Sequence, residues 1–207
     1  MTSIPRLTVL QRALVAGTAL IGLASCGGGS NPLGNAPEVS NPGVSGGQKL
    51  SFAYFQKCIN PILLTPLQIN QGGVVSTNTC AGSGCHANAT GTGGALRVEP
   101  GATAVDLADA ANTADVIRAT DMYRNFYSSQ GATIVGSPTQ SRLVTKPLLL
   151  GVLHGGGQIF ANEQDANVKL IEYWISHPSP QGQDEFSTAT YSMFTPADPQ
   201  TGTCNTQ

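Results

Sequence analysis

Residues Thr79 to Asn88 read TCAGSGCHAN, and this short stretch constrains the chain more than any other. Cys80 and Cys85 enclose Ala81-Gly82-Ser83-Gly84, and His86 follows the second cysteine directly. Two thiols and an imidazole so close together admit four readings. They are covalent attachment of one haem c, a zinc site, a small disulfide loop, or a chance feature of a Gly-rich segment. Haem attachment uses two thiols for the porphyrin vinyl groups and a histidine that reaches the iron from the same side. The usual spacing is C-x-x-C-H. Here four residues intervene, and Gly and Ser are the types that would let the surplus bulge away. A zinc ion wants four ligands, of which Cys80, Cys85 and His86 supply three, two of them awkwardly adjacent.

The remainder of the chain weighs on that choice. Phe, Tyr and Trp together make up 6% of the sequence and Gly accounts for 25 residues, so a domain of this composition has a thin apolar core. Charged residues are 11% and no basic block occurs, which argues against a nucleic-acid partner. The first 25 residues read as an export signal, with Arg6 and Arg12 ahead of the apolar run Ala13 to Leu23. That run is shorter than the roughly 20 residues a bilayer span needs. Its end, Leu23-Ala-Ser-Cys26, resembles the lipobox of bacterial lipoproteins, which implies cleavage before Cys26 and lipidation of its sulfur. Gly27, with no aspartate after the cysteine, fits sorting to the outer membrane. Residues 26–48 are then the lipidated cysteine and a flexible linker rich in Gly, Ser, Asn and Pro.

From Lys49 the pattern becomes that of a folded domain, 49–178, followed by an irregular Pro-, Gly- and Thr-rich tail, 179–207. Helical spacing predicts a helix over 49–59, interrupted by Pro61. The polar stretch 65–79 reads as a loop. Helix is expected in whole or part over 103–120, at the start of YRNFYSS, and after Ser137 as a cap with Pro138 at the first helical position. The clearest helix is 163–177, with Val168, Ile171 and Ile175 on one face, Leu170 and Trp174 beside them, and Pro178 as the stop. The fold class is mostly α, a small helical domain with long loops. Nothing supports a hydrolase, since His154 in HGGG has no serine partner; no catalytic residue is assigned and no enzyme activity is expected.

Ser141, Leu143, Lys146, Pro147, His154, Gly156, Gly157 and Trp174, together with NPIL at Asn60 to Leu63, occur in an informative order. This part of the chain resembles the planctomycete-type cytochrome c domain, over about residues 49–177. The resemblance implies a cytochrome c-like helical fold around one covalent haem c on Cys80 and Cys85, with His86 as proximal iron ligand. His154 is then the distal ligand, with Met122 as alternative, and Lys146 contacts a haem propionate, a role for which Arg97 and Arg142 also come into question. His177 ends the last helix and reads as a cap on its carbonyls. Cys58 and Cys204 remain, and an even pair in an exported protein reads as a disulfide pinning the tail to the first helix. The resulting expectation is a lipid-anchored mono-haem cytochrome of the bacterial envelope, passing electrons between redox partner proteins there. The rival, from another class, is a haem-free, disulfide-stabilised envelope lipoprotein with a structural or binding role.

Overall fold

In a computed structural model of the chain, residues 47–194 and Cys204 are described. The signal segment, Cys26 and nearly all of the linker lie outside the described residues. Among the described residues the regular structure is mostly helical, with one two-stranded sheet. No helix among them is long and apolar enough to cross a membrane.

The spine is one helix in three parts: α1 (Phe52–Tyr54), a π-helical turn (Phe55–Ile59) and α2 (Asn60–Leu64). Ser51 caps it, its Oγ accepting the Tyr54 N–H at 3.2 Å. The sequence predicts a stop at Pro61, yet the helix runs through it. Proline has no N–H to give, and widening of the preceding turn, with the Asn60 N–H bonded to the Phe55 carbonyl, accommodates it. Leu50, Phe52, Tyr54, Phe55, Ile59 and Leu63 are all buried, so this helix is covered on almost every side.

The stretch read as a loop at 65–79 is an antiparallel hairpin, β1 (Leu67–Gln71) and β2 (Val74–Asn78), with Gln71 opposite Val74. Gly72 and Gly73 form the two-residue turn with φ of 61° and 91°, the left-handed conformations such a turn needs. The 103–120 segment is helical only over α3 (Ala114–Arg118), and α4 covers Asp121–Gln130. Pro138–Gln140 is a 3₁₀ turn without a side-chain bond from Ser137, and α5 follows from Arg142 to Leu148. The last long helix, α6 (Ala166–Ser176), starts at Asp165, whose carboxylate accepts the Asn167 N–H at 2.8 Å. It buries Val168, Ile171, Trp174 and Ile175 as its period predicts. His177 closes it, Nδ1 donating to the Tyr173 carbonyl at 2.8 Å.

The helices meet in an aromatic cluster. Trp174 lies 5.4 Å from the Phe55 ring and 6.1 Å from Phe126, and its indole N–H donates to the Ser51 carbonyl at 2.9 Å. Buried polar groups act as latches. Asn125, fully buried, donates to Asn60 Oδ1 at 2.9 Å and accepts the Glu99 N–H at 2.6 Å. Cys58 and Cys204 form the disulfide read from the sequence, 146 positions apart.

The tail also carries Glu185, whose side chain is 3% exposed yet charged. Its carboxylate takes hydrogen bonds from Tyr123 Oη at 2.8 Å and Arg118 Nε at 3.1 Å, while its carbonyl accepts the Phe52 N–H at 2.9 Å. Burial alone would raise its pKa, but its own backbone N–H, Tyr123 and Arg118 outweigh that and hold it below the usual carboxylate value. A carboxylate with a depressed folded pKa stabilises the fold above its unfolded pKa, about 4.3. That stability is lost as pH falls through the lower folded value. Glu185→Gln is therefore expected to lower thermal stability at neutral pH and to flatten its decline below about pH 4.3. Melting curves measured across that range, on the variant and the parent, check both effects.

Candidate functional site

Between the hairpin, α2, α5 and α6 lies a cavity of about 370 Å³. Ile62 and Leu63 from α2, Leu67 and Ile69 from β1, Leu143 from α5, Ile171 from α6, and Ile159 and Phe160 form its apolar wall. Polar groups gather in the rest: Cys80, Cys85, His86, Lys146 and His154. Five side chains singled out from the sequence thus reach one space from three separate segments.

Each is placed by backbone bonds that can be followed. The turn bearing Cys80 hangs from α2, the Ala81 N–H donating to the Leu63 carbonyl at 3.1 Å. His86 is held on both sides of its backbone, its N–H donating to the Cys80 carbonyl at 2.9 Å and its carbonyl accepting from Val98 at 2.8 Å. Its ring has Gly93 against it, and a Cβ there would stand 2.6 Å from His86 Nδ1, so only glycine fits. His154 is carried by the hairpin edge. Asn70 and Gln158 exchange both backbone hydrogen bonds at 2.8 Å, and Gln71 Nε2 donates to the Gly155 carbonyl at 3.0 Å. Gly157 sits at φ 81° with a Cβ position 2.5 Å from the Asn70 carbonyl oxygen, so the hairpin's close approach excludes any side chain there.

The His86 and His154 rings are 6.1 Å apart, their planes 11° from parallel. His86 Nδ1 meets the Leu96 carbonyl at 3.1 Å and His154 Nδ1 meets the Gly157 carbonyl at 2.7 Å. A carbonyl can only accept, so each Nδ1 carries a proton. Burial lowers the His86 pKa, and His154, Arg97 and Lys146 add to that against the Leu96 bond. The ring is neutral at pH 7.

The other candidates fall elsewhere. Met122 is 2% exposed in the hydrophobic core and is not among the residues that line the cavity. Arg97 donates to the Gly91 carbonyl at 2.7 Å, and Arg142 is exposed. Ile62, Leu67, Ile69, Ile159 and Phe160 were not foreseen as wall residues. The Gly72-Gly73 pair between two short runs was the available sign of the hairpin that brings Leu67 and Ile69 in.

The expectation of an electron-carrying mono-haem cytochrome is corrected. Among the described residues no three His, Cys, Asp or Glu side chains converge to hold a metal ion. The cysteines stand in a C-x4-C-H string, not C-x-x-C-H, and the surplus residues are wound into successive turns, Gly82 N–H to the Thr79 carbonyl and Cys85 N–H to the Gly82 carbonyl, each at 3.0 Å. Cys80 and Cys85 are free thiols, and burial, then proximity to Cys85, pushes the Cys80 thiol up to about 11. The cysteine chemistry that the structure does contain is the Cys58–Cys204 disulfide, as in the rival reading. No family model, no curated protein and no solved structure matches the chain.

Proposed function

We propose that the chain is a haem-free, disulfide-stabilised binding module of the bacterial envelope, anchored through lipidated Cys26, that takes a small apolar ligand into its cavity. The observation that carries this reading is the apolar-walled cavity, whose volume of about 370 Å³ lies within the range of about 300–1,000 Å³ usual for small-molecule sites. Its few polar groups sit where they would orient a ligand without dominating the contact. The scaffold is proposed to be akin to the planctomycete-type cytochrome c domain, because several of the positions that carry the resemblance, Leu143, Lys146, Pro147, His154 and Gly156 among them, line that cavity.

Fluorescence titration with 1-anilinonaphthalene-8-sulfonate, an apolar anionic dye, tests the reading. Saturable binding at one site per chain is expected. Ile159→Trp, which sets an indole in the half-buried wall, should weaken it at least about tenfold, or 1.4 kcal/mol, at an unchanged melting temperature. Binding that never saturates, or an indole variant that binds as well as the parent, would sink the proposal. So would a visible haem spectrum that survives acid-acetone extraction of the protein purified from envelopes.

A further inference from the structure

We infer that Cys80 and Cys85 form a thiol-modification site, a redox-active dithiol in the cavity wall that closes to an intraloop disulfide when it meets a disulfide-bearing oxidant. The inference does not depend on what the cavity binds.

The backbone prepares the pair. The two turns at Thr79–Gly82 and Gly82–Cys85 fold the segment back, and the His86 N–H then closes onto the Cys80 carbonyl at 2.9 Å. That nitrogen is bonded directly to the carbonyl carbon of Cys85. Through standard bond lengths, the hydrogen bond therefore holds the two cysteine Cα atoms about 5–7 Å apart. Disulfides span about 4.4–6.8 Å between Cα atoms, so the loop needs little rearrangement to be bridged. Both sulfurs belong to half-buried residues that face the same cavity, where a small oxidant can reach them. Asn78 Nδ2 donates to Cys85 Sγ at 3.5 Å, which fixes where that sulfur lies. The same chain holds Cys58 and Cys204 as a disulfide, so these two thiols share a molecule with an oxidised pair.

The two sulfurs have unequal roles. Cys80 packs against the hydrophobic core, so Cys85 is assigned the first attack. The Cys85 thiolate attacks one sulfur of the oxidant's disulfide, forming a mixed disulfide and releasing the other sulfur as a thiolate. Cys80 then gives up its proton and attacks Cys85 Sγ, displacing the second oxidant sulfur. One disulfide forms in the protein and one is reduced to two thiols, which take the two protons.

The test uses the full chain with glutathione disulfide as oxidant, acid quenching, alkylation with N-ethylmaleimide and peptide mass spectrometry. The peptide spanning Cys80 and Cys85 is expected to lose two hydrogens, to resist alkylation, and to recover on treatment with dithiothreitol. In Cys80→Ser, glutathione should accumulate on Cys85; in Cys85→Ser, its addition to Cys80 should be several-fold slower. Two glutathione adducts on one wild-type chain, two alkylated thiols at equilibrium, or a bond from either sulfur to Cys58 or Cys204 would each overturn the inference. So would both sulfurs carrying thioethers.

Discussion

A double variant, Cys58→Ser with Cys204→Ser, is expected to lose about 4–5 kcal/mol of folding stability, the largest effect of any change proposed for this chain. The bond joins positions 146 apart and so removes more loop-closure entropy from the unfolded chain than a short-range link would. Typical domains have a margin of only about 5–15 kcal/mol. This domain has few aromatics and many glycines, so its margin is expected at the lower end. Urea titrations of the oxidised parent, the reduced parent and the double variant check this. The last two should coincide and the first should unfold at clearly higher urea. If all three unfold together, the tail is held by Glu185 and its partners instead, and the disulfide is incidental.

Trp174→Ala is expected to cost about 3–5 kcal/mol. The side chain is fully buried, packs on Phe55 and Phe126, and supplies one of two donors to the Ser51 carbonyl, the other being the Phe55 N–H at 3.1 Å. Truncation therefore opens a cavity in the middle of the aromatic cluster and removes one buried hydrogen bond beside the cap of the central helix. Trp174→Phe separates these contributions, since it keeps most of the packing and loses the donor. It should fall between the parent and Trp174→Ala in a thermal melt. A phenylalanine variant as unstable as the alanine one would mean that the hydrogen bond, and not the packing, dominates.

These residues also show what could be read before any coordinates. The last helix was legible because its buried positions repeat at helical spacing and Pro178 stops it, while its start, capped by Asp165, lies past the expected residue 163. The disulfide was legible by elimination among five cysteines, since one fits a lipidation signal and two share a loop with His86. The hairpin was not. Val74 and Val75 are exposed, and Ile69 alone is buried in either strand, so the alternation that marks a half-buried strand is missing. Pro61 misled because a proline's cost in a helix depends on whether the turn before it can widen, which no local rule reports. The candidate site shows the same division. Cys80, Cys85, His86, Lys146 and His154 were nameable one by one from their motifs, and all reach one cavity. Among the described residues, no three His, Cys, Asp or Glu side chains converge to hold a metal ion. The two extra residues between the cysteines decide how the loop turns, and their effect is visible only in the backbone bonds.

The distance along the chain between Cys58 and Cys204 also sets an order in time. Cys58 is made in the first helix of the domain, and its partner comes only after every described helix has been synthesised. Throughout that interval Cys58 is a thiol, and Cys80 and Cys85 are the first others made in the domain. Native pairing must therefore wait while two nearer partners stand by. Once the domain has folded, the turns hold Cys85 beside Cys80 and away from Cys58, which favours the native pairing. A chain halted anywhere before Cys204 keeps a reactive sulfur on its central helix. The late cysteine thus distinguishes a finished molecule from an interrupted one.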